Sequence, residues 1–427
     1  MKHQFSRRQF LQQASLGAAG LWITGCASPA GKTRKLSAND KLNIGIIGTG
    51  NRARSNIKGV AEQNIVALCD IDEKFLSAAK QEFPGARTYN DYRKLLEQPG
   101  IDAVVISTAD HTHAVATVAA LQSGHHVYCE KPLTHTISEA RIVAAAAKKY
   151  NRATQMGNQI HSSSHYRRVV ELVQTGAIGT VTEVHCWADY VWENIAKTPG
   201  LPVPAHVHYD LWLGPVQPKP YDPDYHPFNW RRWWHFGGGT LADFCCHLMD
   251  LPYWALGLQY PHTIEAEGPP VHPDQAPPQL VVRYQYGPQG KTSGLKMTWY
   301  SGGKRPPYEL PKWGNGVLFV GTKGMLLTDY GKLLLLPEKN FTGFAHPQPF
   351  IQESPGHYAE WIEACKTGKP TSCPFSYGAL LTEAGLLGNV AFRAGQKLEW
   401  DAAKMRASNT RAADEFIQHH YRAGWKI

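Results

Sequence analysis

No apolar run near the start of this chain reaches the ~20 residues that a membrane-spanning helix needs; the stretch Ala14–Gly25 falls well short. Zinc-type cysteine pairs are missing, and so is any H-E-x-x-H. Asp243, His247 and His161 could form a facial metal set, but no ligand spacing supports it, so no metal is expected. There is no basic cluster and no internal repeat. Of the net charge of +9, five units belong to residues 1–40, where Lys2, Arg7, Arg8, Lys32, Arg34 and Lys35 face only Asp40. The remainder is mildly basic, which excludes a nucleic-acid partner. Besides Cys26, the cysteines at 69, 129, 186, 245, 246, 365 and 373 sit mostly in apolar runs. They read as buried thiols, with Cys365 and Cys373 the only pair placed to bridge.

What is present begins with Ser6-Arg7-Arg8-Gln9-Phe10-Leu11 and the modest apolar stretch after it, which read as a twin-arginine export signal. Ile23-Thr24-Gly25-Cys26 has the form of a lipoprotein box. Cys26 would then be the lipidated first residue, and the protein periplasmic and membrane-attached only through that lipid. Ordinary peptidase cleavage nearby, freeing the protein, is the alternative. Residues 27–40 read as a tether, so 1–40 is set apart from the folded body.

The body is organised around Asn43–Asp72. An apolar run, Ile44–Ile47, leads into Gly48-Thr49-Gly50-Asn51-Arg52-Ala53, then a helical segment and a second apolar run ending in Asp70. This is G-x-G-x-x-[GA] in its strand–turn–helix context. Gly48 permits the turn, Gly50 lets backbone approach a pyrophosphate, and the helix N-terminus beside Asn51 and Arg52 faces the phosphates. Asp70 follows Gly50 by twenty positions, where its carboxylate accepts both ribose hydroxyls and repels a 2′-phosphate. NAD is therefore expected, NADP less so.

Strands and helices continue to alternate to Met156, which predicts a doubly wound parallel sheet over residues 41–157. Ligands in such sheets bind at the carboxyl ends of strands. That rule brings Ser107–His113, with Ser107 and His113 as cofactor contacts, and Glu130-Lys131-Pro132 to the site. Past the last strand, His161 is expected to face the nicotinamide end and, with Tyr166, to bind substrate; His165 reads as a helix-surface residue.

With the glycine fingerprint, Asp70, the Asp110-His111-Thr112-His113-Ala114 turn and Glu130-Lys131-Pro132 in order, the chain resembles the Gfo/Idh/MocA oxidoreductases from about Leu42 to its end. Met156-Gly157-Asn158-Gln159 and Trp212-Leu213-Gly214-Pro215 extend the resemblance, and Asp110 departs from it, standing where Asn is frequent. The resemblance implies an α/β protein: an N-terminal Rossmann sheet plus a C-terminal α+β domain, residues 158–427, with an open, mainly antiparallel sheet. It implies NAD(P)-dependent redox chemistry on a sugar, cyclitol or glycoside, and a homodimer or homotetramer.

The second half adds candidate chemistry. Asp243 and His247, at i and i+4, share a helix face and match the family's D-x-x-x-H element. Imidazole titrates near neutrality, which suits a base that takes a hydroxyl proton as hydride leaves carbon. Asp243 would orient it, and Lys131 would stabilise alkoxide character. Residues 198–239 form an aromatic insert that includes Trp230, next to Arg231; both are expected to line a carbohydrate cleft. The first reading is thus an NAD-dependent carbohydrate dehydrogenase using Lys131, Asp243 and His247. A redox-neutral NAD-dependent glycosidase, a hydride shuttle between two sugars, and a non-catalytic sugar-binding lipoprotein are the rivals.

Overall fold

The structure is a computed structural model, and it describes residues 37–198, 200–288 and 294–427. The export signal with Arg7 and Arg8, and Cys26, lie outside the described residues. Six strands form the first sheet: β1 (Asn43–Ile47), β2 (Asn64–Cys69), β3 (Arg87–Tyr89), β4 (Ala103–Ile106), β5 (His126–Glu130) and β6 (Thr154–Gly157). Their order is β3-β2-β1-β4-β5-β6, with every pairing parallel. Strands covered on both faces need continuous apolar runs. Ala103–Ile106 is such a run and is buried throughout. The chain reverses direction across the sheet between β1 and β4, which opens a crevice at their carboxyl ends.

The second sheet has nine strands. They are β7 (Val181–Ala188), β8 (Thr263–Glu267), β9 (Leu280–Tyr286), β10 (Leu295–Ser301), β11 (Asn315–Gly321), β12 (Gly324–Thr328), β13 (Leu333–Leu336), β14 (Leu398–Asp401) and β15 (Arg406–Ala407). The order is β13-β12-β11-β7-β10-β9-β8-β14-β15. All neighbours are antiparallel except β7 and β10.

Helix Phe375–Ala394 joins the two halves. Leu381 and Leu387 are fully buried in a core that also holds Ile47 and Met156 from the first sheet and Val184 and Tyr284 from the second. A Cβ on Gly385 would collide with Cys245, so the glycine lets this helix lie close against helix Gly239–Leu248. That contact fixes the helix carrying Asp243 and His247 relative to β5 and Lys131.

One local expectation changes, and the cysteine reading holds. The D-H-T-H segment is not a turn: the helix there starts at Asp110, and an acid in its first turn complements the positive helix end. Cys365 and Cys373 are free buried thiols. They cannot bridge because Cys365 packs under the first sheet, while Cys373 belongs to the core between the sheets. Strands β3, β14 and β15 were not anticipated.

Candidate active site

The crevice between β1 and β4 is lined by Gly48, Gly50, Asn51, Arg52, Asp70 and Ser107. Gly48 has φ 88° and its N–H donates to the Cys69 carbonyl at 2.8 Å. A Cβ there would strike the Ser107 carbonyl. Helix Arg52–Val60 begins with no side-chain cap and no acid in its first turn, which leaves its N–H groups for an anion. The Asp70 carboxylate accepts from Thr49 N–H at 2.7 Å, from Thr49 Oγ1 at 3.0 Å and from Asp72 N–H at 2.9 Å. A carboxylate offers about four lone-pair positions. Three are spent within the protein, so Asp70 has capacity for one ribose hydroxyl rather than two. Burial raises its pKa against the opposing pull of those hydrogen bonds. The turn, the uncapped helix and the acid together fit a dinucleotide.

Glu130, at the end of β5, is buried and does not line the crevice; its carboxylate is held within the protein. It accepts from Arg52 Nε at 3.2 Å, Asn56 Nδ2 at 2.9 Å and Gln159 Nε2 at 2.9 Å. Asn56 also donates to Ser107 Oγ at 2.8 Å. The carboxylate thus ties helix Arg52–Val60 to β5 and to Gln159 after β6, and Asn56 ties the same helix to Ser107 after β4. Asn56 and Gln159 were not foreseen as part of this network.

In the aromatic insert, Tyr209, Trp212, Tyr225, Trp233 and Phe236 pack on one another in a buried cluster. The insert also lines the dinucleotide crevice, through Trp212, His226, Pro227, Phe228, Trp230 and Arg231. Its anchors are backbone bonds from Glu73 N–H to the His206 carbonyl (2.9 Å) and from His208 N–H to the Ile71 carbonyl (2.8 Å), and a hydrogen bond between His226 Nε2 and Asp72 at 3.0 Å. Trp425 of the C-terminal tail lines the same crevice, with Arg93 4.7 Å above its ring. The sequence reading missed this because aromatic content marks a packed segment without saying what it packs on.

Lys131, Asp243, Arg231 and His247 do come together. Lys131 Nζ donates to the carboxylate and the carbonyl of Asp243, both at 2.6 Å. Arg231 Nε reaches the same carboxylate oxygen at 3.2 Å. Burial alone would raise Asp243, but Lys131 and Arg231 outweigh it and hold its carboxyl at about 2. Burial likewise works against the Lys131 charge, and Asp243 overcomes it, so that pKa is raised. Asp243 does not orient His247, contrary to expectation. The imidazole Nδ1 lies 2.8 Å from Asn158 Oδ1. An acceptor at that position puts the proton on Nδ1 and leaves the lone pair on Nε2. Burial, then the Lys131 charge, push His247 down to about 3, so it is neutral.

Other expected site residues serve as supports. His113 is fully buried, with Nδ1 2.8 Å from the Pro132 carbonyl and Nε2 3.1 Å from that of Thr108. It braces two loops and does not face the cofactor. His161 is buried against Asp250, 2.8 Å away, and stacks on Trp254 at 4.1 Å, so it is withdrawn from substrate. Tyr166 is fully buried; its hydroxyl donates to the His247 carbonyl at 2.9 Å, beneath the site. Trp230 carries Arg231 over its ring at 4.2 Å on the cofactor side. His165 lies on a helix and pairs with Thr328 at 3.0 Å.

Comparison with known proteins gives two adjoining family matches. Residues 42–158 match an oxidoreductase family's NAD-binding Rossmann fold, and residues 165–295 match the C-terminal alpha/beta domain of an oxidoreductase family. Inositol 2-dehydrogenase 3 of Saccharopolyspora erythraea is 34% identical over 150 residues, 34% of this chain and 44% of that protein. The match thus spans less than half of the relative. Oxidoreductase YdgJ of Escherichia coli, itself uncharacterised, is 25% identical over 53% of this chain and 57% of its own. Among solved structures, the WlbA dehydrogenase from Bordetella pertussis, in complex with NADH and UDP-GlcNAcA, has a TM-score of 0.62 at 18% identity, covering 84% of this chain and 98% of its own. The aldose-aldose oxidoreductase from Caulobacter crescentus, complexed with glycerol, has a TM-score of 0.58 at 18% identity, covering 84% and 100%. These two share the fold.

Proposed function

Because the chain belongs to the Gfo/Idh/MocA oxidoreductase family, we propose that it is an NAD-dependent oxidoreductase acting on a CH–OH group of a carbohydrate or glycoside. The observation that carries this reading is the meeting of Lys131, Asp243 and His247, joined through Arg231 to the dinucleotide crevice. Bound NAD would supply a hydride acceptor at its nicotinamide. Lys131 has three donors and spends two on Asp243, so one remains for the substrate oxygen. Its retained charge would stabilise alkoxide character there. Neutral His247 would take the hydroxyl proton at Nε2, oriented by Asn158. The names of the curated relatives, inositol 2-dehydrogenases, support a polyhydroxylated ring as substrate.

The test is to denature the purified protein and assay released nucleotide, then to incubate intact protein and NAD with inositols, aldoses and glycosides. Stoichiometric NADH with a keto product is expected. Cleaved glycoside with bound NAD and no net NADH would replace this reading with redox-neutral hydrolysis. No nucleotide and no turnover would leave a sugar-binding protein.

The same proposal includes export and assembly. Arg7-Arg8 and the Cys26 box support periplasmic export and lipid anchoring. Arg7→Lys with Arg8→Lys should then retain the protein in the cytoplasm, and Cys26→Ser should free it from membranes. A homodimer or homotetramer assembled through the open second sheet belongs to the same reading. Light scattering showing a monomer at micromolar concentration would sink that part.

A further inference from the structure

A second cavity of about 310 Å³ lies behind the glycine run that leads into helix Gly239–Leu248. Sites for small ligands start at about 300 Å³. It shares no lining residue with the dinucleotide crevice, and Lys131, Asp243 and His247 do not line it. Its walls come from distant stretches: His135 after the Lys131 turn, Lys219 in the insert, Asn389 and Arg393 on the long helix, and His419 in the tail.

Two cations face this space, and Glu415, exposed, is the only lining carboxylate. Arg393 lies between the rings of Trp234, 5.0 Å away, and Phe416, 4.0 Å away, and among the described residues it has no hydrogen bond or ion pair. Burial pulls the guanidinium down to about 10, with only Glu415 opposing. Arg393 is half-buried, and its charge is met only by the two ring faces and by Glu415. Lys219 is half-buried, and burial lowers its pKa too, against a pull from Asp274.

Hydrogen-bonding capacity is also unspent. His135 Nε2 lies 3.3 Å from the Gly237 carbonyl, which can only accept, so the proton is on Nε2 and Nδ1 is an acceptor. Asn389 Nδ2 donates to the Gly238 carbonyl at 2.8 Å. His135 Nδ1, Asn389 Oδ1 and His419 Nε2 are all buried without partners. The cavity therefore sets two cations against one exposed carboxylate, beside buried acceptors that lack partners. An anion answers the first, and hydroxyl groups answer the second.

We infer that this cavity is a second ligand site for a hydroxylated oxyanion, a sugar phosphate or a sugar acid. Arg393 and Lys219 hold its charge, and Asn389 and His135 accept from its hydroxyls. Two walls continue into the proposed reaction centre: His135 follows Lys131 by four residues, and Gly238 caps the helix of Asp243 and His247.

The test is calorimetric titration of the full chain with glucose 6-phosphate, gluconate, inorganic phosphate and neutral glucose. Each is run with and without saturating NAD, which covers the phosphate-binding turn at Gly48. One molecule of glucose 6-phosphate or gluconate per chain should bind beside NAD, with neutral glucose at least tenfold weaker. Arg393→Gln and Lys219→Glu should each weaken that binding at least tenfold and leave NAD binding unchanged. Lys219 sits on a half-buried loop, so its variant reads the site even if Arg393→Gln does not fold. Preference between the two organic anions identifies the source of the charge. Inorganic phosphate binding as tightly as either would overturn the hydroxyl part. No anion binding, or binding indifferent to both substitutions, would overturn the inference. The two variants report on this cavity whether or not the chain proves to be a redox enzyme.

Discussion

At the scale of single residues, the reaction centre depends on which partner each polar group has. Asn158 holds the His247 tautomer, and Asp243 holds the Lys131 charge. His247→Ala should lower kcat by about 10²–10⁴, the usual worth of a positioned base. Asn158→Leu should lower it about 10–100-fold, the usual cost of losing an orienting partner, while KM for NAD stays unchanged in steady-state assays. His247 stands at about 3 in the free protein, so kcat/KM should be flat from pH 7 down to pH 5. An acid limb near pH 6 would show that Nε2 is better solvated than this burial implies. Asn158 was quoted in the sequence only as part of a motif. Its role could not be read there, because an amide after a strand carries no sign of which ring it will meet. Asp243 and His247 were legible as an i,i+4 pair, but that spacing suggested a mutual contact that the helix does not make.

At the scale of elements, the insert over residues 200–239 lies across the crevice, where bound dinucleotide would have to pass it to leave. His226 fastens it to Asp72, next to the Asp70 carboxylate. His226→Ala should raise the NAD dissociation rate at least tenfold, about 1.4 kcal/mol of lost contact, as read by stopped-flow displacement. An unchanged rate would mean that the insert covers the crevice without retaining its ligand. Slow release would suit the export proposed above, since the periplasm offers little free NAD. Strand β1, the glycine turn and β2 were legible because each has a local signature: an apolar run, a G-x-G and a terminal acid. Strand β3 has only three residues, two of them exposed, and left no such trace.

At the scale of the whole molecule, many histidines are buried and neutral. Burial lowers His111 and His247 to about 3, and His126, His357 and His419 to about 4. Unfolded, each returns to about 6.5. These folded pKa values are depressed, so above pH 6.5 neither state binds the protons and stability is unaffected. Between about pH 6.5 and 4 the unfolded chain binds them and the native one does not. Stability should therefore fall as pH drops through that window, by up to about 1.4 kcal/mol per pH unit for each residue. Chemical denaturation at pH 7 and pH 5 should show a marked loss, with uptake of several protons on unfolding at pH 5. Equal stability at both values would contradict the burial of these rings.

The parallel first sheet, its glycine turn, Asp70 and the Lys131 segment follow from residues near one another in the chain, because backbone conformation and binary patterning are local properties. The antiparallel second sheet could be expected only through family resemblance. Tertiary structure alone decided the rest: that the aromatic insert covers the dinucleotide crevice, that Asn158 and not Asp243 holds His247, that His113, His161 and Tyr166 are supports, and that Arg393 faces a second cavity. Each of these depends on which distant segments a side chain meets after packing, and no local spacing encodes that meeting.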